Sequence, residues 1–395
     1  MENIKSLGVF YNNIKVGTLA LLPNNLVAFE YDDKWIVDGF AVSPFSLPLI
    51  KKVFIPKIDP FEGLFGVFSD SLPDGWGKLL VDRMLASKGI NSREINILNR
   101  LAIVGDSGMG ALSYRPEHKF ILQEDEKDYD KLALACKELL ETNFSSDLDK
   151  LFMLGGSSGG ARPKILTEID GEEWIIKFPS SYDIKDIGEI EYLYSLCAKK
   201  CGIEMPETKL FPSKISKGYF GIKRFDRNEK NKRRIHMISV SALLETSHRL
   251  PNLDYDILMK LTLKLTNSFE EVEKMFRLMC FNIFAHNRDD HSKNFSFIYD
   301  EELKKWKLSP AYDLTFSYSI GGEHATTVNG NGRNPDMKDI LKVAENIGMK
   351  NENAKKNAEE IEKIVNKDLG KIIKNFKKDR KSFVKHIFMV LYNIK

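Results

Sequence analysis

The spacing of apolar residues changes along the chain, and that change limits it to folds that place short strands first and amphipathic helices later. Residues 7–11, 14–20 and 26–31 are short branched and aromatic runs broken by Asn12, Asn13, Pro23 and Asn24, which predicts strands joined by tight turns. Far downstream, Val272, Met275, Phe276, Met279 and Ile283 recur at helical spacing. Residues 271–284 are therefore predicted to bury one helical face and deliver the polar segment that follows to a cleft. Between these extremes, residues 70–75 read as a cap and turn before a helix over 78–86, and a second helix is predicted over 92–101. Gly105, Gly108 and Gly110 mark a tight connection back to a strand.

A polar crossing is predicted over 116–130, with a helix over 130–140. A Gly/Ser cluster, a strand over 174–178, a helix over 187–201 and a strand over 219–225 follow. From about residue 238 the chain reads as mainly helical, with helices over 337–347 and 354–365 and another beginning over 369–376. The implied division is 1–120, 121–225 and 226–395.

With 395 residues, 43% of them hydrophobic, the chain has enough material for one large core or two ordinary ones. Lys plus Arg (59) nearly balances Asp plus Glu (56), so any basic surface must be local. The lysines of 371–385 read as a solvated helix face. Cys136, Cys197, Cys201 and Cys280 are too scattered for a disulfide framework, and no apolar run reaches the length of a spanning helix. These features point to the cytosol. Cys197 and Cys201, on one helix face, read as core packing.

The most informative stretch is His286-Asn287-Arg288-Asp289-Asp290-His291-Ser292-Lys293-Asn294. An Asp followed five positions later by an Asn is the spacing of protein-kinase catalytic loops, where the first orients a hydroxyl nucleophile and the second holds magnesium. Asp313 follows in Ala311-Tyr312-Asp313-Leu314, and two strands with a short turn would return it beside Asn294. Asp313 and Asn294 then offer the hard oxygen ligands that Mg²⁺ requires, while Asp289 orients the attacking hydroxyl. The bland alternative is a polar loop whose acids cap neighbouring elements.

Upstream, Gly155-Gly156-Ser157-Ser158-Gly159-Gly160-Ala161-Arg162-Pro163-Lys164 permits close approach to phosphate oxygens, with Arg162 and Lys164 adding charge. It is neither a GxxxxGK[ST] loop nor a GxGxxG turn. Lys177 lies inside the apolar run 174–178, where alternation aims it at a cleft or, on an edge strand, at solvent. Glu189 and Glu191 on the next helix are both candidates to pair with it. Backbone groups of Lys223, Arg224 and Phe225 would contact adenine.

Taken in order, these parts resemble HipA-type serine/threonine kinases, the toxins of bacterial toxin–antitoxin pairs. The likeness rests on Ser69-Asp70-Ser71-Leu72-Pro73-Asp74-Gly75-Trp76-Gly77, the 157–164 loop, residues 220–227, residues 287–297 and residues 311–314, and spans nearly the whole chain. It implies an α+β, bilobal, protein-kinase-like fold: a small amino-terminal subdomain, a strand-containing nucleotide lobe and a mainly helical carboxyl-terminal lobe. It also implies ATP and Mg²⁺ as cofactors. Asp289 resembles the catalytic aspartate, Asn294 and Asp313 the magnesium ligands, Lys177 the ATP-contacting lysine, Glu191 its helix partner, and Lys223 to Phe225 the hinge. Ser157 is similar in position to the serine these kinases autophosphorylate to switch themselves off, with Ser158 adjacent. Ala161-Arg162-Pro163-Lys164 departs from the better-known loop ending. His291 is expected to fix the catalytic loop, and Lys293 to approach the transferred phosphate.

The resemblance further implies a protein substrate, with glutamyl-tRNA synthetase the best-known type, and inhibition of translation and growth associated with persistence. It implies a small helix-turn-helix antitoxin that carries the kinase to operator DNA indirectly. A small-molecule phosphotransferase and an inactive nucleotide-binding scaffold are the competing readings.

Overall fold

A computed structural model describes residues 3–118, 128–142, 145–180, 183–228, 231 and 233–378. Part of the 116–130 crossing and part of the 371–385 lysine stretch lie outside the described residues. The chain forms two compact units, neither continuous in sequence: Met1–Glu189 with Pro206–Leu250 and Ser292–Ser309, and Ile190–Met205 with Pro251–His291 and Pro310–Lys395.

The first unit is built on sheets. Ser6–Tyr11 and Ile14–Leu21 form a hairpin whose turn residues, Asn12 and Asn13, both take positive φ, the conformation that keeps a two-residue turn in step with strand twist. Val27–Tyr31, Val53–Phe54 and Leu112–Arg115 complete a five-stranded antiparallel sheet. A second antiparallel sheet runs in the order Lys164–Ile169, Glu172–Lys177, Tyr219–Lys223, Thr208–Phe211. In sequence, helix Gly75–Ser87 lies between the last two strands of the first sheet, and helices Tyr129–Thr142 and Leu148–Gly155 lie between the two sheets. Trp76, Leu80 and Met84 pack with Cys136, Leu139, Leu151, Ile165 and Ile176 in one buried cluster, which ties the helix after the 69–77 motif to the sheet after the glycine loop.

Several expectations need correction. The helix predicted over 92–101 spans Ile97–Val104, because Asn96 caps it by accepting from the Asn99 N–H at 2.9 Å. Periodicity gives no sign of the Leu148–Gly155 helix or of the strands Lys164–Ile169 and Thr208–Phe211. The region after 238 is not uniformly helical: Ser296–Asp300 and Lys305–Leu308 form the expected hairpin, and Met237–Ser239 adds a third strand to it. The hairpin closes where the Ser309 N–H donates to the Ser296 carbonyl at 2.9 Å.

The second unit is helical. Ser268 caps Phe269–Phe284, Asn267 ends Tyr255–Thr266 in the left-handed region, and Val272, Met275, Phe276, Met279 and Ile283 are buried as the spacing predicts. Asp336 and Asp339 form a capping box on Met337–Asn346, and Asn351–Asp368 buries Ala354, Ala358, Ile361 and Val365. Cys197 and Cys201 are buried. Among the described residues no helix is long and apolar enough to cross a membrane.

One charged knot sits inside the first unit. Asp226 is fully buried, and Arg224 grips both its oxygens, Nε to Oδ1 at 2.9 Å and Nη2 to Oδ2 at 2.7 Å. Arg227 Nη1 adds a contact at 2.9 Å and the Gly110 N–H another at 2.6 Å. Burial opposes the charge on Asp226, but the two guanidiniums outweigh it and hold the carboxyl far below its usual range. Arg234 donates to the Gly108 and Gly110 carbonyls at 2.7 and 3.0 Å, so the 105–110 loop is fastened from both sides. Replacing Asp226 with Ala leaves the buried Arg224 and half-buried Arg227 with Glu173, at 3.1 and 2.7 Å, as their remaining carboxylate. The expected cost is about 3–5 kcal/mol, read as a shift in the urea unfolding midpoint.

Candidate active site

In the first unit the glycine loop is held by residues that precede it by some eighty positions. Asp74 stands at the start of Gly75–Ser87, yet its side chain makes no capping bond. Its Oδ1 accepts instead from the Gly160 N–H, and its Oδ2 from Lys293 Nζ at 2.7 Å. Burial raises the pKa of Asp74, but Lys293, Gly160 and Lys164 together keep it below the usual carboxylate value. The rest of the 69–77 motif is equally committed. Asp70 accepts from the Ser239 N–H and Oγ at 2.7 and 2.8 Å, and Ser71 Oγ lies 2.7 Å from the Tyr114 hydroxyl. Trp76 donates from its backbone to Gly160 O at 2.9 Å and from Nε1 to Lys164 O at 3.1 Å. Gly77 is required because a Cβ there would collide with the Ser158 carbonyl.

Beneath this clasp, Lys164 and Lys177 are directly opposed across antiparallel strands. Opposed residues share a face, and two like charges so placed repel unless something negative joins them. Lys164 is 7% exposed and turns its ammonium to Gly159 O. Lys177 lies over the Phe220 ring, 5.5 Å from its centroid. Its strand is flanked on both sides by others, so the edge-strand alternative fails. Ser157 Oγ donates to Ser107 O at 3.0 Å and is partly accessible, whereas Ser158 is buried and donates to Gly155 O at 2.6 Å.

Other candidates are engaged elsewhere. Arg162 pairs with Asp183 at 3.2 Å, Lys223 with Glu172 at 3.2 Å, and Glu189 with Lys217 at 3.3 Å; Glu191 is buried. The backbone N–H groups of Lys223 and Arg224 donate to Glu207 O and Glu173 O, both at 2.9 Å, and the Arg224 side chain belongs to the Asp226 knot. Those two N–H groups and that side chain are used within the fold.

In the second unit, the Phe269–Phe284 helix delivers residues 286–291, as its apolar stripe predicts. Adjacent carboxylates then meet opposite fates. Asp290 is fully buried: its oxygens lie 2.9 Å from the Tyr255 hydroxyl, 2.9 Å from His324 Nδ1, and 2.9 and 3.2 Å from the Ala325 and Thr326 N–H groups. Asn282 links Tyr255 at 3.0 Å to Asn287 at 2.9 Å, extending the network along the loop. Asp289 keeps 64% of its side chain exposed, with His291 Nε2 at 3.9 Å. Asp290 thus fixes the loop. Asp313 takes φ +53°, unusual for a residue with a side chain and typical of functional turns. Asn294 ends the short Ser292–Asn294 helical turn of the first unit, next to Lys293.

Two results follow. Asp290→Asn replaces an acceptor with a donor facing two N–H groups and should cost about 1–3 kcal/mol in urea unfolding, while Asp289→Asn should stay within about 0.5 kcal/mol of the parent. Asp74→Ala should release Gly160 and Lys293, so hydrogen exchange across 156–163 should quicken at least tenfold with little change elsewhere.

Comparison with known proteins agrees with this arrangement of parts. Residues 7–115 match the family model described as HipA N-terminal domain, and residues 156–368 match HipA-like C-terminal domain. A putative kinase of Sinorhizobium fredii, Y4dM, is 26% identical over 346 residues, covering 83% of this chain and 81% of that protein. The structure of HipA from Shewanella oneidensis MR-1, solved with HipB and operator DNA, is similar with a TM-score of 0.69 at 16% identity, over 93% of this chain and 90% of that one. The α+β architecture, strand-rich first and helical last, is the one these proteins share. The chain belongs to the HipA-like family of kinase toxins.

Proposed function

We propose that the chain is an ATP- and Mg²⁺-dependent serine/threonine protein kinase that inhibits growth by phosphorylating a protein hydroxyl. The observation that carries this reading is the Lys164–Lys177 pair on one sheet face beneath a clasped glycine loop. Two lysines paired in register on one sheet face suit a polyphosphate, and the fit to ATP rests on them. The fit to Mg²⁺ rests on donor chemistry: Asp313 and Asn294 are hard oxygen ligands, and Asn294 follows a lysine already placed beside a carboxylate. When bound, the ion offsets phosphate charge during transfer.

The chain's own residues supply the rest. Lys177 and Lys164 neutralise phosphate oxygens, with Glu191 the helix partner proposed for Lys177. Gly159 and Gly160 allow the backbone to come close. Asp289 accepts the proton of the acceptor hydroxyl and orients its oxygen, a task that needs an exposed carboxylate on an immobile loop. Asp290 provides the immobility. Lys293 exchanges Asp74 for the transferred phosphate and stabilises its charge. Ser157, not Ser158, is the autophosphorylation site, because its hydroxyl is the accessible one of the two. A phosphate there would replace the hydroxyl that donates to Ser107 O, add negative charge to a loop held by Asp74, and so oppose the resting loop.

A small helix-turn-helix antitoxin, with operator DNA reached through it, is the proposed partner, and an aminoacyl-tRNA synthetase of the glutamyl type the proposed target. The HipA structure with HipB and operator DNA supports the first by likeness of fold. Purified protein given Mg²⁺ and radiolabelled ATP should incorporate phosphate at Ser157, and Asp289→Asn should reduce incorporation by about a hundredfold to ten-thousandfold. Phosphopeptide mapping after incubation with cell extract identifies the acceptor. Tight ATP binding without transfer would favour the scaffold, and transfer to a small hydroxyl compound the small-molecule enzyme.

A further inference from the structure

Where the proposed transfer would bring phosphate oxygens, the chain already places an anion of its own. Asp74 lies against two glycines of the loop: its Oδ1 accepts from the Gly160 N–H, and a Cβ built on Gly159 would stand 3.2 Å from the same oxygen. Its Oδ2 takes Lys293 Nζ at 2.7 Å. Lys164 comes to the same place, with Nζ 2.6 Å from where a Gly160 Cβ would stand. Burial opposes the charge on Asp74, yet Lys293, the Gly160 N–H and Lys164 hold its carboxyl below the usual range, so it is an anion at neutral pH. A loop N–H and ammonium groups converging on an oxyanion is the arrangement by which a glycine-rich loop receives phosphate.

The loop has other ties besides that carboxylate. Gly160 O accepts from the Trp76 N–H at 2.9 Å, Lys164 O from Trp76 Nε1 at 3.1 Å, and Lys164 Nζ reaches Gly159 O. Gly75 lies so close that a Cβ on it would meet Gly160 O at 2.4 Å. Residues 75–77 therefore join the loop through backbone and indole contacts, and Asp74 is the anionic tie among neutral ones. Asp70, in the same motif, gives its two oxygens to the Ser239 N–H and Oγ at 2.7 and 2.8 Å and is committed to the fold. Asp74 differs, since 27% of its side chain is exposed and it can leave.

We propose that Asp74 is an internal stand-in for a phosphate group, an autoinhibitory contact that lowers the affinity of this loop for polyphosphates until it is displaced. The inference rests on the reading of residues 157–164 as a phosphate-binding loop and adds the regulation of that site. A ligand that must evict an internal anion binds with its intrinsic affinity reduced by the fraction of molecules in which that anion is out of the way. Removing the charge while keeping an acceptor for the Gly160 N–H ends the competition, and with it the repulsion between two anions at one place. Lys293, no longer neutralised by Asp74, then meets the incoming oxygens directly.

The test is calorimetric titration of the whole protein, without Mg²⁺, with sodium tripolyphosphate as probe. Asp74→Asn and Asp74→Ser, both uncharged and both able to accept from Gly160, should bind it more tightly than the parent by about tenfold or more. Asp82→Asn makes the same change in net charge within Gly75–Ser87, where Asp82 pairs with Arg100 at 3.1 Å, and should bind as the parent does. Circular dichroism establishes that each variant is folded. Equal or weaker binding by both Asp74 variants, an equal gain with Asp82→Asn, or no binding to any of these proteins at roughly 10 mM probe overturns the proposal. The kinase reading is judged separately, by phosphate incorporation from ATP. A parent that transfers phosphate, with tripolyphosphate affinity indifferent to Asp74, keeps that reading and loses this one; a parent without transfer, whose Asp74 variants bind tripolyphosphate more tightly, does the reverse.

Discussion

A carboxylate inside a protein core survives only if nearly all its oxygen lone pairs are satisfied, and Asp290 meets that requirement with four donors from two stretches of chain. The loop bearing the proposed catalytic residue has its geometry from this. Tyr255 arrives on one helix, Asn282 on the next, and His324, Ala325 and Thr326 on the segment after Asp313. Removing any one would leave a buried polar group without its partner. Asp289, one residue earlier, is consequently held in solvent on a backbone that has little freedom to move.

The first unit uses the same device with a different outcome. Asp74 joins a loop N–H to a lysine ammonium and so fastens the glycine loop without closing off exchange with another anion. Asp226 is the structural counterpart, enclosed by guanidiniums and far from any exchange. The contrast lies in burial. Asp226 is sealed into the fold it supports, whereas Asp74 and Lys293 keep part of their surface and can take other partners.

Much of this was readable in advance where the signal is local. The hairpin at Asn12 and Asn13 and the stripe from Val272 to Ile283 each depend on neighbours within a few residues, and each emerges in place. The Leu148–Gly155 helix was not readable because it is short and opens on charged residues, and its stability comes from packing on Gly75–Ser87. The strand Met237–Ser239 was missed for a similar reason: three residues carry no period, and its pairing with Ser296–Asp300 is made by chain nearly sixty residues away. The pairing of Arg224 with Asp226 was not readable either, because position on a strand end says nothing about which acid its fork will meet.

The sequence by itself determined the order of strands and helices and the residue types that phosphate, magnesium and a hydroxyl nucleophile require, since both follow from local spacing and side-chain chemistry. Only the tertiary structure decided that Asp290 is buried while Asp289 is exposed, and that Asp74 clasps a loop instead of capping its own helix. Adjacent aspartates are equivalent to any local pattern. What separates them is which donors the packed chain brings within about 3 Å, and that depends on contacts between residues far apart in sequence.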